Sequence, residues 1–238
     1  MTANEKFLTQ RQRYIVAASK NVPTSVGDNK NLHPFETITN DLLTKGFSIN
    51  PNALPYKLAK DLVLQMQSLP TNHFSQAGIG RSQGHTIDTL VRSDKIYWIT
   101  DEAEAGRNWL QWVSALQTYL NKRLFLGLFS FESHFAHYRP GDFYKRHLDA
   151  FNGSSSRILS LLVYLNPEWT AEDEGELVIY NSELDQTGIK VPPCFATVVV
   201  FLSEEFPHEV LPSKRDRYSI AGWFRKNTSS TARVDPPL

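Results

Sequence analysis

Apolar positions in the first half of the chain recur at helical spacing in three stretches. Phe35, Ile38, Leu42 and Leu43 run up to Gly46; Leu58, Leu62, Met66 and Leu69 run up to Pro70; Trp109, Trp112, Val113, Leu116 and Leu120 form the third. Steps of three and four gather each set on one face, and Gly or Pro stops the first two, so the pattern predicts amphipathic helices within 35–125. Beyond residue 129 the texture changes to short β-branched or aromatic runs divided by turn residues. SFESHFAHY, FYKRHLD and RILSLLVYL come first, then GELVIY, FATVVVFL, PHEVL and RYSIAGWF. Such runs predict the antiparallel strands of a sandwich or barrel. Helices first and strands later imply a mainly β, α+β domain over 35–226, its double-layered core at 129–226 buttressed on one face by the helices. The polar, turn-rich residues 1–34 read as a flexible arm and 227–238 as a flexible tail.

Composition narrows the function. The 25 Lys and Arg balance the 25 Asp and Glu, so the basic excess that grips phosphates is missing and nucleic acid is not the expected partner. Cys194 is the sole cysteine, which rules out an internal disulfide and a Cys-rich zinc module and suits a reducing compartment. The opening MTANEKFLTQRQRY is too polar for a signal peptide, and the apolar runs near 157–165 and 195–202 fall far short of the roughly 20 residues that span a bilayer. A soluble, cytoplasmic protein without a membrane partner is expected. The chain also has no glycine-rich phosphate loop and no Gly-X-Ser-X-Gly elbow, so nucleotide hydrolysis and serine-hydrolase chemistry lack their parts.

The string His147-Leu148-Asp149 carries the most chemistry. Alternate residues of a strand share a face, so both polar side chains would enter one pocket. His208, in FPHEVL, opens another expected strand. Two imidazoles and one carboxylate are the ligand set of non-haem Fe(II) oxygenases and leave open positions on the metal. On the strand that follows, Arg217 could clamp a dicarboxylate cosubstrate through two parallel hydrogen bonds. Arg215 has the same parity and competes with it. His134 and His137 are three apart and face opposite sides of a strand, so they read as core or surface histidines; Asp94 beside Arg92 reads as a local ion pair worth little.

The strings RSDKIYWI (92–99), HYRPGDFYKRHLDAF (137–151), RILSLLVYLNPEW (157–169), GELVIY (175–180) and PHEVLPSKRDRYSIAGWF (207–224) occur in one order. Together they resemble the prolyl 4-hydroxylase-like Fe(II)/2-oxoglutarate dioxygenases, in particular the hypoxia-sensing prolyl hydroxylases and their bacterial relatives. The resemblance implies a double-stranded β-helix, the jelly-roll or cupin-like core. It places His147, Asp149 and His208 on the catalytic iron ligands and Arg217, rather than Arg215, on the residue that binds the distal carboxylate of 2-oxoglutarate. Tyr164 falls on a hydrogen-bonding partner of that carboxylate and Tyr138 on a tyrosine of the cosubstrate pocket. Tyr144, Arg157 and Trp223, together with Arg92, fall on the side that receives substrate, and 74–98 on a loop and hairpin that cover it. Ala221 departs from the pattern, since animal members tend to carry a hydroxyl residue there.

The activity so implied is Fe(II)- and 2-oxoglutarate-dependent hydroxylation of a prolyl residue in a protein, with O2 as cosubstrate, succinate and CO2 as coproducts and ascorbate as reductant. The expected partner presents an exposed prolyl loop; for a bacterial protein, elongation factor Tu fits. The alternatives are the same chemistry on another residue or a free amino acid, and a non-catalytic cupin-like binding or sensing module.

Overall fold

The computed structural model describes residues 33–77, 90–150 and 156–227. Most of the expected arm, the middle of the expected covering loop (78–89) and the tail from 228 lie outside the described residues.

Three helices form where apolar spacing placed them: α1 (Pro34–Lys45), α2 (Tyr56–Ser68) and α3 (Glu104–Leu124). At the start of α1, Pro34 occupies the first turn and the His33 ring accepts a hydrogen bond from the Phe35 amide. It ends at Gly46, whose φ of 80° returns its N–H to the Leu42 carbonyl. A Cβ there would lie 3.0 Å from the Phe206 ring, so both the turn and the packing ask for glycine.

Eleven strands make two antiparallel sheets among the described residues. They are β1 (Phe47–Asn50), β2 (Ser75–Gln76), β3 (Lys95–Trp98), β4 (Leu128–Tyr138), β5 (Tyr144–His147), β6 (Arg157–Tyr164), β7 (Leu177–Ile179), β8 (Ile189–Val191), β9 (Val198–Leu202), β10 (His208–Val210) and β11 (Arg217–Lys226). The larger sheet runs β1-β9-β6-β11-β4-β3-β2 and the smaller β5-β10-β7-β8. The fold is thus mainly β, as the pattern predicts, with one correction: β1 comes from the half read as helical, whereas β2 and β3 pair within 74–98, where a covering hairpin is expected. At four residues β1 is too short to show a period, and it earns its place by pairing with β9, Phe47 opposite Phe201.

The helices cover the outer face of the larger sheet: α1 lies on β1 and β9, and α3 on β4. Trp109 of α3 is wholly buried and donates its indole N–H to Ser133 Oγ at 3.0 Å. Residues on the other parity of the same strands face the smaller sheet. On β11 these are Arg217, Ser219, Ala221 and Trp223; on β4, His134, Ala136 and Tyr138. The two-residue period therefore splits each central strand between an apolar core and the wall of a cavity of about 430 Å³.

Candidate active site

His147 ends β5, and His208 begins β10 directly opposite it in the ladder. Asp149 lies past the end of β5, in a bend. Strand alternation is therefore not what brings Asp149 to His147; the turn out of the strand does. The donor atoms of the three side chains lie within 4.8 Å of one another, with each imidazole Nε2 3.6 Å from an Asp149 oxygen. Among the described residues this is the one cluster of His, Cys, Asp or Glu able to hold a metal ion.

The surroundings of the triad prepare it for a cation. His147 Nδ1 meets the Lys145 carbonyl at 2.8 Å and His208 Nδ1 the Phe206 carbonyl at 3.0 Å. A carbonyl only accepts, so each Nδ1 carries the proton and each Nε2 offers a lone pair. Burial, with the neighbouring His147, lowers His208 to about 4 and keeps it neutral near pH 7. Burial alone would raise Asp149, but His208 and His147 override it and hold the carboxyl well below its usual range. Asp149 Oδ2 also accepts from Ser160 Oγ at 2.6 Å, and Ser160 bonds in turn to buried Ser203.

Elsewhere in the cavity wall, Arg217 is completely buried. Its Nε donates to the Gly175 carbonyl at 2.8 Å and its Nη1 reaches Ser219 Oγ at 3.4 Å, whereas Nη2 has no partner among the described residues. The guanidinium sits 5.0 Å from the Tyr138 ring and 5.2 Å from that of Tyr164. Tyr164 Oη is buried and likewise without a partner among the described residues, and burial, eased by Arg217, pushes its hydroxyl up to about 12. Tyr138 stands opposite Arg217 in the ladder and Tyr164 opposite Ser219, so register alone gathers the group. At Gly175 a Cβ would come within 2.6 Å of Ser213, which lets this backbone approach Arg217. Arg215 is different: it precedes β11, is half exposed, stacks over Trp169 and reaches the Pro167 carbonyl.

Another part of the wall holds the remaining predicted residues. Tyr144 stacks on His147 with centroids 3.6 Å apart, and the Arg92 guanidinium lies over the Tyr144 ring, 4.3 Å from its centroid. Arg157 lies 3.6 Å over Trp223 and pairs with Glu132 at 3.2 Å. The Arg92–Asp94 pair corrects the sequence reading. Two hydrogen bonds of 2.8 and 2.6 Å join them, Asp94 is fully buried, and the pair is part of the protein interior rather than a surface contact. Two contributors escaped the sequence reading. Ser160 shares the parity of Tyr164 on β6 and His134 that of Tyr138 on β4, so parity from an assigned residue was the available signal. His134 is buried in the cavity wall rather than in the bulk core or at the surface.

An unpaired guanidinium nitrogen and phenol oxygen, both buried, are an incomplete hydrogen-bonding set suited to a carboxylate. Two imidazoles and a carboxylate suit Fe(II) with positions left for other ligands. The donor set thus fits a ferrous ion and a dicarboxylate together.

Comparisons with known proteins agree with this chemistry. Residues 133–225 match the family model described as the 2OG-Fe(II) oxygenase superfamily. The crystal structure of a Pseudomonas putida prolyl-4-hydroxylase is similar at 37% sequence identity and a TM-score of 0.71, over 81% of this chain and 98% of that one. A prolyl hydroxylase from Trichoplax adhaerens, solved with a hypoxia inducible factor oxygen degradation domain peptide fragment, is 28% identical at a TM-score of 0.69, over 81% and 89% of the two chains. Human prolyl hydroxylase EGLN3 is 34% identical over 85 residues, which are 35% of each protein, so the match spans about a third of that relative. The similar structures carry the double-stranded β-helix.

Proposed function

This chain belongs to the 2OG-Fe(II) oxygenase superfamily, whose cofactor set is Fe(II), 2-oxoglutarate and O2, and from that premise we propose that it hydroxylates a prolyl residue in a protein substrate. The observation that carries the reading is the pair of unsatisfied groups, Arg217 Nη2 and Tyr164 Oη, in the same small fold as the His147, Asp149 and His208 cluster.

In this reading His147 and His208 hold the metal as neutral ligands and Asp149 as the anionic one. Arg217 and Tyr164 bind the distal carboxylate of 2-oxoglutarate beside Tyr138. Bound there, metal and cosubstrate supply the oxidising power that puts oxygen into a C–H bond, with succinate and CO2 as coproducts. The chain's own residues orient and enclose. Tyr144 braces His147, the Arg92–Asp94 pair fixes Tyr144 from behind, and Arg157 and Trp223 shape the substrate side.

A protein substrate is supported by the peptide bound to the Trichoplax enzyme. Elongation factor Tu is the first partner to try, with ascorbate as reductant. The experiment is incubation of lysate proteins with the enzyme, Fe(II), 2-oxoglutarate and heavy dioxygen, followed by mass spectrometry. Isotope at one proline, lost with Asp149→Ala, is the expected result. Label on another residue type would overturn the prolyl assignment, and absence of 2-oxoglutarate decarboxylation would favour a binding module.

A further inference from the structure

Among the described residues, two of the strands that border the cavity lie at the ends of their sheets: β5 of the smaller and β2 of the larger. The other two sheet ends, β1 and β8, do not line it. A sheet end carries main-chain N–H and C=O groups that no neighbouring strand satisfies. The end at β5 is closed. Arg92 bridges to Tyr144, the Lys145 amide donates to the Val91 carbonyl at 2.9 Å, and the Ser93 amide donates to the Phe143 carbonyl at 3.1 Å. The end at β2 has no such cover.

Register fixes which groups β2 leaves over. Ser75 stands opposite Ile96 and Gln76 opposite Lys95, while the Ala77 amide donates to the Asp94 carbonyl at 3.1 Å. In an antiparallel ladder, hydrogen-bonded and non-hydrogen-bonded pairs alternate. Ser75 and Ala77 therefore turn their main chain toward β3, and Gln76, between them, turns both its amide and its carbonyl away. Neither group takes a partner among the described residues. The Gln76 side chain bonds the Asp94 carbonyl through Nε2 at 3.3 Å and so does not cap its own main chain. Ser75 and Gln76 both line the cavity that holds the triad, the first exposed and the second half-buried, which puts this open edge at the rim.

We propose that the edge of β2 at Gln76 docks the extended backbone of the substrate by strand addition. One substrate carbonyl accepts from the Gln76 amide, and one substrate N–H donates to the Gln76 carbonyl. The N–H and C=O of a single strand residue lie on the same side of the chain, so one extended segment laid along β2 meets both. The occupant is the stretch that flanks the target proline, because the edge borders the cavity that this proline must enter. Proline has no N–H, so the donor is a neighbour of the target and never the target itself. Main-chain pairing selects for an extended segment whatever its side chains. The inference rests on the prolyl reading above and adds to it a requirement on the shape of the substrate.

Two substitutions and a backbone scan test it. Gln76→Pro removes the amide and fills its place with the ring, which a strand edge tolerates because no bond of the sheet is lost. Gln76→Ala keeps the main chain and removes only the side chain. The substrates are degenerate peptides with one fixed central proline, either unmodified or carrying a single backbone N-methyl group at each other position in turn, supplied with Fe(II), 2-oxoglutarate and O2. Gln76→Ala should keep the wild-type kcat/KM on the unmodified peptides. Gln76→Pro should lose about tenfold, as expected for one or two main-chain hydrogen bonds, and both variants should bind 2-oxoglutarate as wild type does. N-methylation at one position should cost wild type about tenfold and cost Gln76→Pro no more, a coupling that local damage to the hairpin would not produce. Equal activity of Gln76→Pro and Gln76→Ala, or N-methyl penalties that are the same in wild type and Gln76→Pro, overturns strand addition and leaves prolyl hydroxylation standing. No oxidation of any mixture by wild type overturns both.

Discussion

Arg217→Lys tests the cosubstrate assignment most directly, because it preserves the charge and removes only the fork. The native guanidinium uses Nε on the Gly175 carbonyl and Nη1 on Ser219, and keeps Nη2 for a ligand. An ammonium group is a point charge that cannot hold Gly175 and clamp a carboxylate in the same geometry. Loss of one charge-assisted hydrogen bond costs about 1.5–3 kcal/mol, or about tenfold to 150-fold in the dissociation constant of 2-oxoglutarate. The assay is calorimetric titration of 2-oxoglutarate into protein loaded with a redox-inert divalent metal, repeated with 2-oxopentanoate, which lacks the distal carboxylate. Wild type and variant should differ for the first ligand and match for the second, closing a double-mutant cycle on that carboxylate. Unchanged 2-oxoglutarate affinity, with the loss appearing in Arg215→Lys instead, would refute the reasoning.

Other consequences are as specific. Tyr164→Phe removes a buried hydroxyl that has no partner, so chemical denaturation of the ligand-free protein should show unchanged or higher stability, by up to about 1 kcal/mol, while 2-oxoglutarate binds more weakly. Ser160→Ala deletes the donor to Asp149 Oδ2 and should weaken metal binding about 10–100-fold in a direct titration; unaltered affinity would make Ser160 mere packing. Asp94→Asn leaves the Arg92 guanidinium without its two-pronged carboxylate and should cost about 3 kcal/mol in urea denaturation, since breaking a buried pair costs far more than losing a surface one. His134 titrates near 4 when folded because burial and Arg92 oppose its protonation, against about 6.5 unfolded. Between those values the unfolded chain binds the extra proton, so stability falls as pH drops through the window, by an amount on the order of 3 kcal/mol from this residue; His134→Met should flatten the pH dependence of the metal-free protein between pH 7 and 4.5, and an unchanged slope would contradict it.

The helices and central strands were legible because their periods are strong. Leu116 and Leu120 keep one face over a long helix, and RYSIAGWF is an aromatic and apolar run long enough to mark a buried strand. The short strands β1 and β8 were not, since three or four residues carry no period and their pairing is decided by distant partners such as Phe201 for Phe47. The site divides the same way. Arg217, Tyr138 and Tyr164 are gathered by ladder register, but parity along one strand could neither relate them across strands nor separate Arg217 from Arg215; the family resemblance singled them out, and the structure buries Arg217 while leaving Arg215 exposed. The Arg92–Asp94 pair looked like a local ion pair worth little because a two-residue spacing says nothing about what covers it.

The triad shows how a site can depend on more than its ladders. His147 and His208 face each other across β5 and β10, so their approach follows from backbone hydrogen bonds along a strand pair. The carboxylate proposed as the anionic ligand has no such guarantee, because Asp149 lies beyond the last residue of β5. A side chain outside a ladder keeps one orientation only where other groups hold it. For Asp149 that hold comes from the opposite sheet: Ser160 on β6 bonds its Oδ2, and Ser203 beyond β9 bonds Ser160. The triad is thus closed across the two layers, with histidines set by the smaller sheet and the carboxylate steadied by the larger. A substitution that separates the layers should therefore loosen Asp149 before it disturbs either histidine.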